Sequence, residues 1–128
     1  AGLSDRTNIE GASQLNLILK KYGYTSSNIT LKSVLHLKTG ISYLENNNLL
    51  AFGEFLNHPA LSVFNLLAVD PDESYAANSV WINGKVLVPM GFSKTNEMIK
   101  AAGYQTIEVN VSEFRKLDGG LSCLSLRF

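Results

Sequence analysis

The sequence repeats itself, and that repetition constrains the possible folds more than any other feature. Lys21-Tyr22-Gly23-Tyr24 and Ala101-Ala102-Gly103-Tyr104 each close a helix-like stretch and lead into a β-rich one. The two glycines are separated by two units of about 40 residues. Upstream, Gly2-Leu3-Ser4-Asp5-Arg6-Thr7-Asn8 is echoed by Gly91-Phe92-Ser93-Lys94-Thr95-Asn96. Gly53, after the apolar run Leu49-Leu50-Ala51-Phe52, takes the corresponding place in a middle copy, where Glu54–Phe64 is only weakly helical. Each unit reads strand, glycine turn, helix, strand, loop, strand.

Local patterns assign the elements. From Asn8 to Lys21, apolar Ile9, Ala12, Leu15 and Leu19, with Tyr22 beyond, recur at the three-to-four spacing of an amphipathic helix. Thr7 or Asn8 suits its N-cap, and Gly23 its C-terminal stop. Thr95–Ala102 is a shorter helix closed by Gly103. Strands are expected at Ile29–Val34, Ile41–Leu44, Leu49–Phe52, Asn65–Val69, Ser79–Ile82, Val86–Val88, Thr106–Val111 and Leu121–Phe128. Asn83-Gly84 between two such runs is a type I′ hairpin signal, and Asn46-Asn47-Asn48 turns a looser one. The first unit lacks the hairpin that precedes Gly53 and Gly91, so the chain is expected to begin inside a module and to leave a sheet edge open.

Composition narrows the function classes. The 128 residues suit a single domain or half-domain, and a hydrophobic content of 45% supplies a core. Eleven basic residues offset eleven acidic ones, so neither nucleic acid nor an anionic membrane is an expected partner. No apolar run approaches the roughly 18 residues of a membrane span. The first residues have neither the basic nor the apolar region of a signal peptide. A single cysteine excludes an internal disulfide and a cysteine-based zinc cluster, and it fits a reducing, cytoplasmic setting. It also leaves one thiol, Cys123, to be explained.

The loop after the inner strand of each unit leads to His36, to the vicinity of Asn78, and to Cys123 in turn. Positions equivalent by repeat lie on one rim when modules pack around a common axis. His36 and Cys123 are therefore expected to meet in one cavity, as a pair suited to covalent catalysis. Blander readings stand beside these. Cys123 in Leu121-Ser122-Cys123-Leu124-Ser125-Leu126 also fits a buried core thiol. His36, between two leucines, also fits a satisfied core histidine. Arg6 beside Asp5 also fits a surface ion pair worth under about 1 kcal/mol. Asn78 is assigned to securing backbone, His58 to an exposed loop, and Trp81 and Phe52 to the core.

Four segments resemble dimethylarginine dimethylaminohydrolases, in that family's order: Gly2-Leu3-Ser4-Asp5-Arg6-Thr7-Asn8, Leu35-His36-Leu37-Lys38-Thr39-Gly40, Ala76-Ala77-Asn78, and Ser112–Cys123 with its Asp118-Gly119-Gly120-Leu121-Ser122-Cys123 ending. The resemblance implies an α+β fold of the pentein type. Such a fold is built of ββαβ repeats around a pseudo-fivefold axis, and this chain would supply about half of the five-module ring, its C-terminal part. It also implies a hydrolase of N-methylated arginine that needs no metal or cofactor. In that chemistry the Cys123 thiolate attacks the guanidinium carbon and His36 serves as acid and then base. Arg6 holds the substrate carboxylate, and the Leu117 carbonyl meets its α-amino end. A free thiol titrates at about 8.5, so the thiolate calls for stabilisation by His36 as imidazolium or by the cationic substrate.

The family's guanidinium-holding carboxylates belong to an N-terminal half, and its Gly-Gly-Asp segment has no counterpart here. The N-terminal half, on the same precursor or a separate chain, or self-association, is therefore the expected partner besides the small guanidino substrate. Two alternatives remain open. Arginine deiminase-like chemistry on free arginine ranks lower because Lys38 stands where that family usually has an aspartate. A catalytically silent half-domain is the other.

Overall fold

The computed structural model describes residues 1–126, in two compact units: Ala1–Leu37, and the rest from Lys38 onward.

In the first unit, β1 (Gly2–Leu3) pairs in parallel with β2 (Ile29–Thr30), and the connection is helix α1 (Ile9–Lys21). Asn8 caps α1: its backbone is extended and its side chain accepts from Gly11 N at 2.8 Å. The other end closes on Gly23, at φ +80, with Gly23 N donating to Lys20 O and Tyr24 N to Leu19 O. Lys20 and Lys21 sit in the last turn, where a helix favours positive charge. The expected apolar face is only partly covered. Ala12 is buried, but Ile9, Leu15 and Tyr22 are exposed. Two-residue strands offer too little surface to cover a thirteen-residue helix.

In the second unit the same wiring appears twice, each time preceded by a hairpin. A single turn, α2 (Leu37–Gly40), leads into β3 (Ile41–Tyr43). Strand β3 pairs antiparallel with β4 (Asn48–Ala51), and β4 pairs in parallel with β5 (Asn65–Ala68). Likewise β6 (Val80–Ile82) and β7 (Lys85–Pro89) form an antiparallel hairpin, and β7 pairs in parallel with β8 (Gln105–Val109). The second crossover is helix α3 (Ser93–Ala101), closed by Gly103 at φ +94, with Gly103 N donating to Lys100 O and Tyr104 N to Ile99 O, the arrangement found at Gly23. The first crossover has only two 3-10 turns, Gly53–Phe55 and Pro59–Leu61: glycine is a poor helix former in the first, and proline, lacking an N–H, stops that turn from running on as a helix. His58 caps the second of these turns, its Nδ1 accepting from Ala60 N, and is half-buried rather than exposed. Asn83 and Gly84, at φ +50 and +74, make the tight hairpin that their sequence signals.

The core of this unit joins both sheets. Leu44, Leu50, Val69, Ala77, Val86, Val88 and Ile99 form one buried cluster, with Phe52 and Trp81 packed against it. Polar ties cross it: Ser42 Oγ donates to Ala77 O at 2.6 Å, and Tyr104 OH donates to Glu45 O at 2.8 Å. After β8 the chain makes a four-residue helix, α4 (Ser112–Arg115). The strand expected over Leu121–Phe128 is absent from the described part of that segment. Residues 121–124 form a turn with Cys123 N and Leu124 N donating to Gly120 O, and residues 127 and 128 lie outside the described residues.

Glu73, in the 3-10 segment Pro71–Ala77, anchors the start of α3. Its carboxylate accepts from Lys94 N, Thr95 N and Thr95 Oγ1 at 3.1, 2.7 and 2.7 Å. Burial disfavours its charge, but the Thr95 and Lys94 hydrogen bonds and the Lys94 charge outweigh it and hold the carboxyl below the ordinary glutamate value of 4.5. A carboxyl depressed on folding stabilises the protein above its unfolded pKa and loses that contribution as pH falls through the folded value. Glu73→Gln is expected to cost about 1–3 kcal/mol at neutral pH in urea unfolding. The difference between mutant and wild type should shrink as pH drops below about 4.5, the unfolded glutamate value.

Candidate functional site

Each unit presents one turn that carries candidate residues. In the first, Ser4 and Thr7 exchange backbone hydrogen bonds at 3.1 Å, which turns Asp5 and Arg6 outward at the end of β1. The Ser4 hydroxyl accepts from Arg6 N at 3.1 Å and donates to Leu35 O at 2.7 Å. One side chain thus ties the Arg6 turn to the segment that ends at His36. Arg6 and His36 are both exposed, so the core reading of His36 does not hold. Among the described residues, Arg6 makes no ion pair with Asp5. Ser4 stood in the motif but carried no assigned role. Its hydrogen bond to Leu35 O joins segments 31 residues apart, which spacing alone does not reveal.

In the second unit, Leu117 and Cys123 bracket the loop that follows α4. Leu117 lies 87% exposed on the turn that closes α4, where Leu117 N and Gly119 N both donate to Phe114 O. Asp118 completes the reversal at φ +59, a conformation that aspartate tolerates better than most residues. Cys123 is exposed and unoxidised, on a helical turn that begins at Gly120. It is not the buried thiol that its apolar neighbours suggest. The apolar contribution comes from Leu121, which packs with Val80 and Val111 in a small cluster flanked by Tyr75.

Two side chains from the segment before β6 hold this turn. Asn78 is only 6% exposed, and its Oδ1 accepts from Ser122 N at 2.9 Å. Gly120 lies so close that a Cβ there would overlap the Asn78 amide, so only glycine fits. Tyr75 OH donates to Gly119 O, and its ring stacks on Phe92 at 5.6 Å between centroids. The Arg115 guanidinium lies over both rings, at 4.9 and 5.2 Å. Burial pushes the Tyr75 phenol up; Arg115 counters this in part and Cys123 adds to it. The phenol therefore remains a neutral donor at neutral pH. The securing role read for Asn78 from sequence matches its contacts, whereas Tyr75, Phe92 and Arg115 gave no signal.

Chemically, the second unit supplies an accessible soft nucleophile on a braced turn. The first supplies an accessible imidazole and an accessible guanidinium, on backbone segments that the Ser4 hydroxyl ties together.

No protein-family model matches the chain. It is similar to a dimethylarginine dimethylaminohydrolase of Pseudomonas aeruginosa, 54% identical over 127 residues, covering 99% of this chain and 50% of that protein. One from Streptomyces coelicolor is 30% identical over 127 residues, covering 98% and 48%. Among solved structures, a Cys-to-Ser mutant of the Pseudomonas aeruginosa enzyme complexed with citrulline matches with a TM-score of 0.96 at 53% identity, covering 99% of this chain and 50% of that one. The N-terminal domain of ArgZ, a cyanobacterial arginine dihydrolase, matches with a TM-score of 0.84 at 22% identity, a likeness of fold alone. The chain spans about half the length of the curated relatives it matches. Over that span its fold is the mixed α/β, pentein-type fold of these structures. Among the described residues, no helix is long and apolar enough to cross a membrane.

Because Cys123 is the single cysteine, alkylation reads this turn alone. Native protein should incorporate one iodoacetamide per chain without denaturant, by intact mass. Labelling that appears only on unfolding would contradict the exposed turn.

Proposed function

We propose that the chain carries part of the active site of a hydrolase that converts N-methylated arginine to citrulline and methylamine or dimethylamine. The carrying observation is its one thiol, exposed on a turn held by Asn78 and Tyr75, in a chain 54% identical over nearly its whole length to an enzyme of that description. The citrulline complex of the matching structure supports the same product.

A guanidinium is a poor electrophile and its amine a poor leaving group, so the reaction needs a soft nucleophile and a proton donor. In the proposed sequence the Cys123 thiolate attacks the guanidinium carbon and a C–S bond forms. The bond to the methylated nitrogen then breaks, and the departing amine takes its proton from His36. The covalent thiouronium is next attacked by water, whose proton returns to His36. The adduct's new hydroxyl then gives its proton through solvent to the released amine, the C–S bond breaks, citrulline leaves, and the thiolate is restored. Arg6 binds the substrate carboxylate through paired charge-assisted bonds, and the Leu117 carbonyl accepts from the α-amino group.

The half-length match favours a companion reading. The carboxylates that hold the guanidinium would come from outside this chain: from the N-terminal half of the fold on the same precursor, from a separate chain, or from a second copy.

A citrulline assay with dimethylarginine and arginine in parallel, with and without the complementary half, tests the proposal. Dimethylarginine should be preferred, and Cys123→Ser should abolish product while leaving circular dichroism unchanged. Substantial retained turnover would overturn the nucleophile assignment, and preference for arginine would favour the deiminase reading. Arg6→Ala should raise KM about tenfold or more, the loss expected for hydrogen bonds to a charged group. An unchanged kcat/KM would remove the carboxylate role.

A further inference from the structure

We propose that Asn78 is a positioning residue for Cys123: by accepting from Ser122 N while its amide packs on Gly120, it fixes the turn from which the thiol projects. The inference rests on the reading of Cys123 as nucleophile and adds a residue that acts through it.

Three observations carry it. First, the Asn78 side chain spans the nucleophile's turn, with Oδ1 bonded at 2.9 Å to the residue before Cys123 and its amide against Gly120. The two contacted residues bracket Leu121, whose side chain is buried, so the turn is held by one polar and one apolar anchor. Second, Asn78 is itself held. Its backbone N donates to Tyr75 O at 3.2 Å, and the neighbouring Ser79 Oγ donates to Ala76 O at 2.8 Å. Tyr75 in turn donates to Gly119 O, so the short segment Tyr75–Asn78 grips the loop at Gly119 and at Ser122. Third, the bond is one the turn cannot replace by itself. Ser122 N lies in its first turn and, among the described residues, donates to no backbone carbonyl, whereas Cys123 N and Leu124 N both reach Gly120 O, and a buried N–H left unpaired costs about 1–3 kcal/mol.

A loop that swings by an ångström costs a covalent catalyst far more in rate than in substrate binding, because attack geometry is demanded only in the transition state. Asn78→Leu keeps the side chain's approximate shape and removes the acceptor. In the assembled, active protein its kcat should fall at least tenfold, with KM for dimethylarginine within about twofold of wild type. Asn78→Asp restores the oxygen and should recover at least a third of wild-type kcat at its own pH optimum. This pairing separates positioning from general destabilisation, since both variants disturb a buried site but only one loses the bond. Native alkylation of Cys123 gives a second reading independent of turnover. Asn78→Leu should change its rate severalfold, and Asn78→Asp should change it less.

Wild-type kcat in Asn78→Leu would overturn the inference, as would equal loss in the leucine and aspartate variants. Citrulline formation by Cys123→Ala would instead overturn the underlying nucleophile assignment.

Discussion

Parallel strands cannot be joined by a tight turn; the chain must leave one end of the pair and travel back to the other. That constraint acts three times here, on β1 and β2, on β4 and β5, and on β7 and β8. Each return passes through a crossover and delivers the next stretch of chain to the same end of its own strand pair. His36 follows the first, Asn78 the second and Cys123 the third. In the second unit two of these deliveries touch, because Asn78 Oδ1 meets Ser122 N. The chemistry of the Cys123 turn depends on wiring that is itself a consequence of parallel pairing.

The turn combines exposure with restraint. Its thiol is open to solvent, yet its backbone is held through Gly119 by Tyr75, through Ser122 by Asn78, and through Leu121 by the cluster of Val80 and Val111. Fully burying a leucine contributes about 1.5–3 kcal/mol, comparable to leaving one buried N–H unpaired. Neither anchor dominates. Glu73 extends the restraint outward by fastening the start of α3 to the segment that carries Tyr75 and Asn78.

Much of this was legible in the sequence where one residue type answers one backbone demand. Gly23 and Gly103 mark left-handed helix stops, Asn83-Gly84 marks the hairpin, and Asn8 marks the N-cap. The ββαβ order followed from the repeat. Failure came where apolar spacing had two meanings. In sequence, Leu124, Leu126 and Phe128 alternate well enough for a strand, but the turn that precedes them gains its bonds from Asn78 and Gly120 rather than from a ladder. On α1, periodicity identified the helix but not how much of its face is covered. At the candidate site the motif residues were readable, whereas Ser4, Tyr75 and Arg115 act through contacts between distant segments. Such contacts leave no spacing to read.

If the thiol does covalent work, it must pass through a state in which the substrate's amidine carbon is bonded to Cys123. Acid quenching during turnover of dimethylarginine, followed by mass mapping of peptides, looks for that state directly. An adduct on the peptide containing Cys123, with the dimethylamine nitrogen already lost, is the expected result. Steady citrulline production with that peptide unmodified at every quench time, even in a variant slowed at the hydrolytic step, would contradict it.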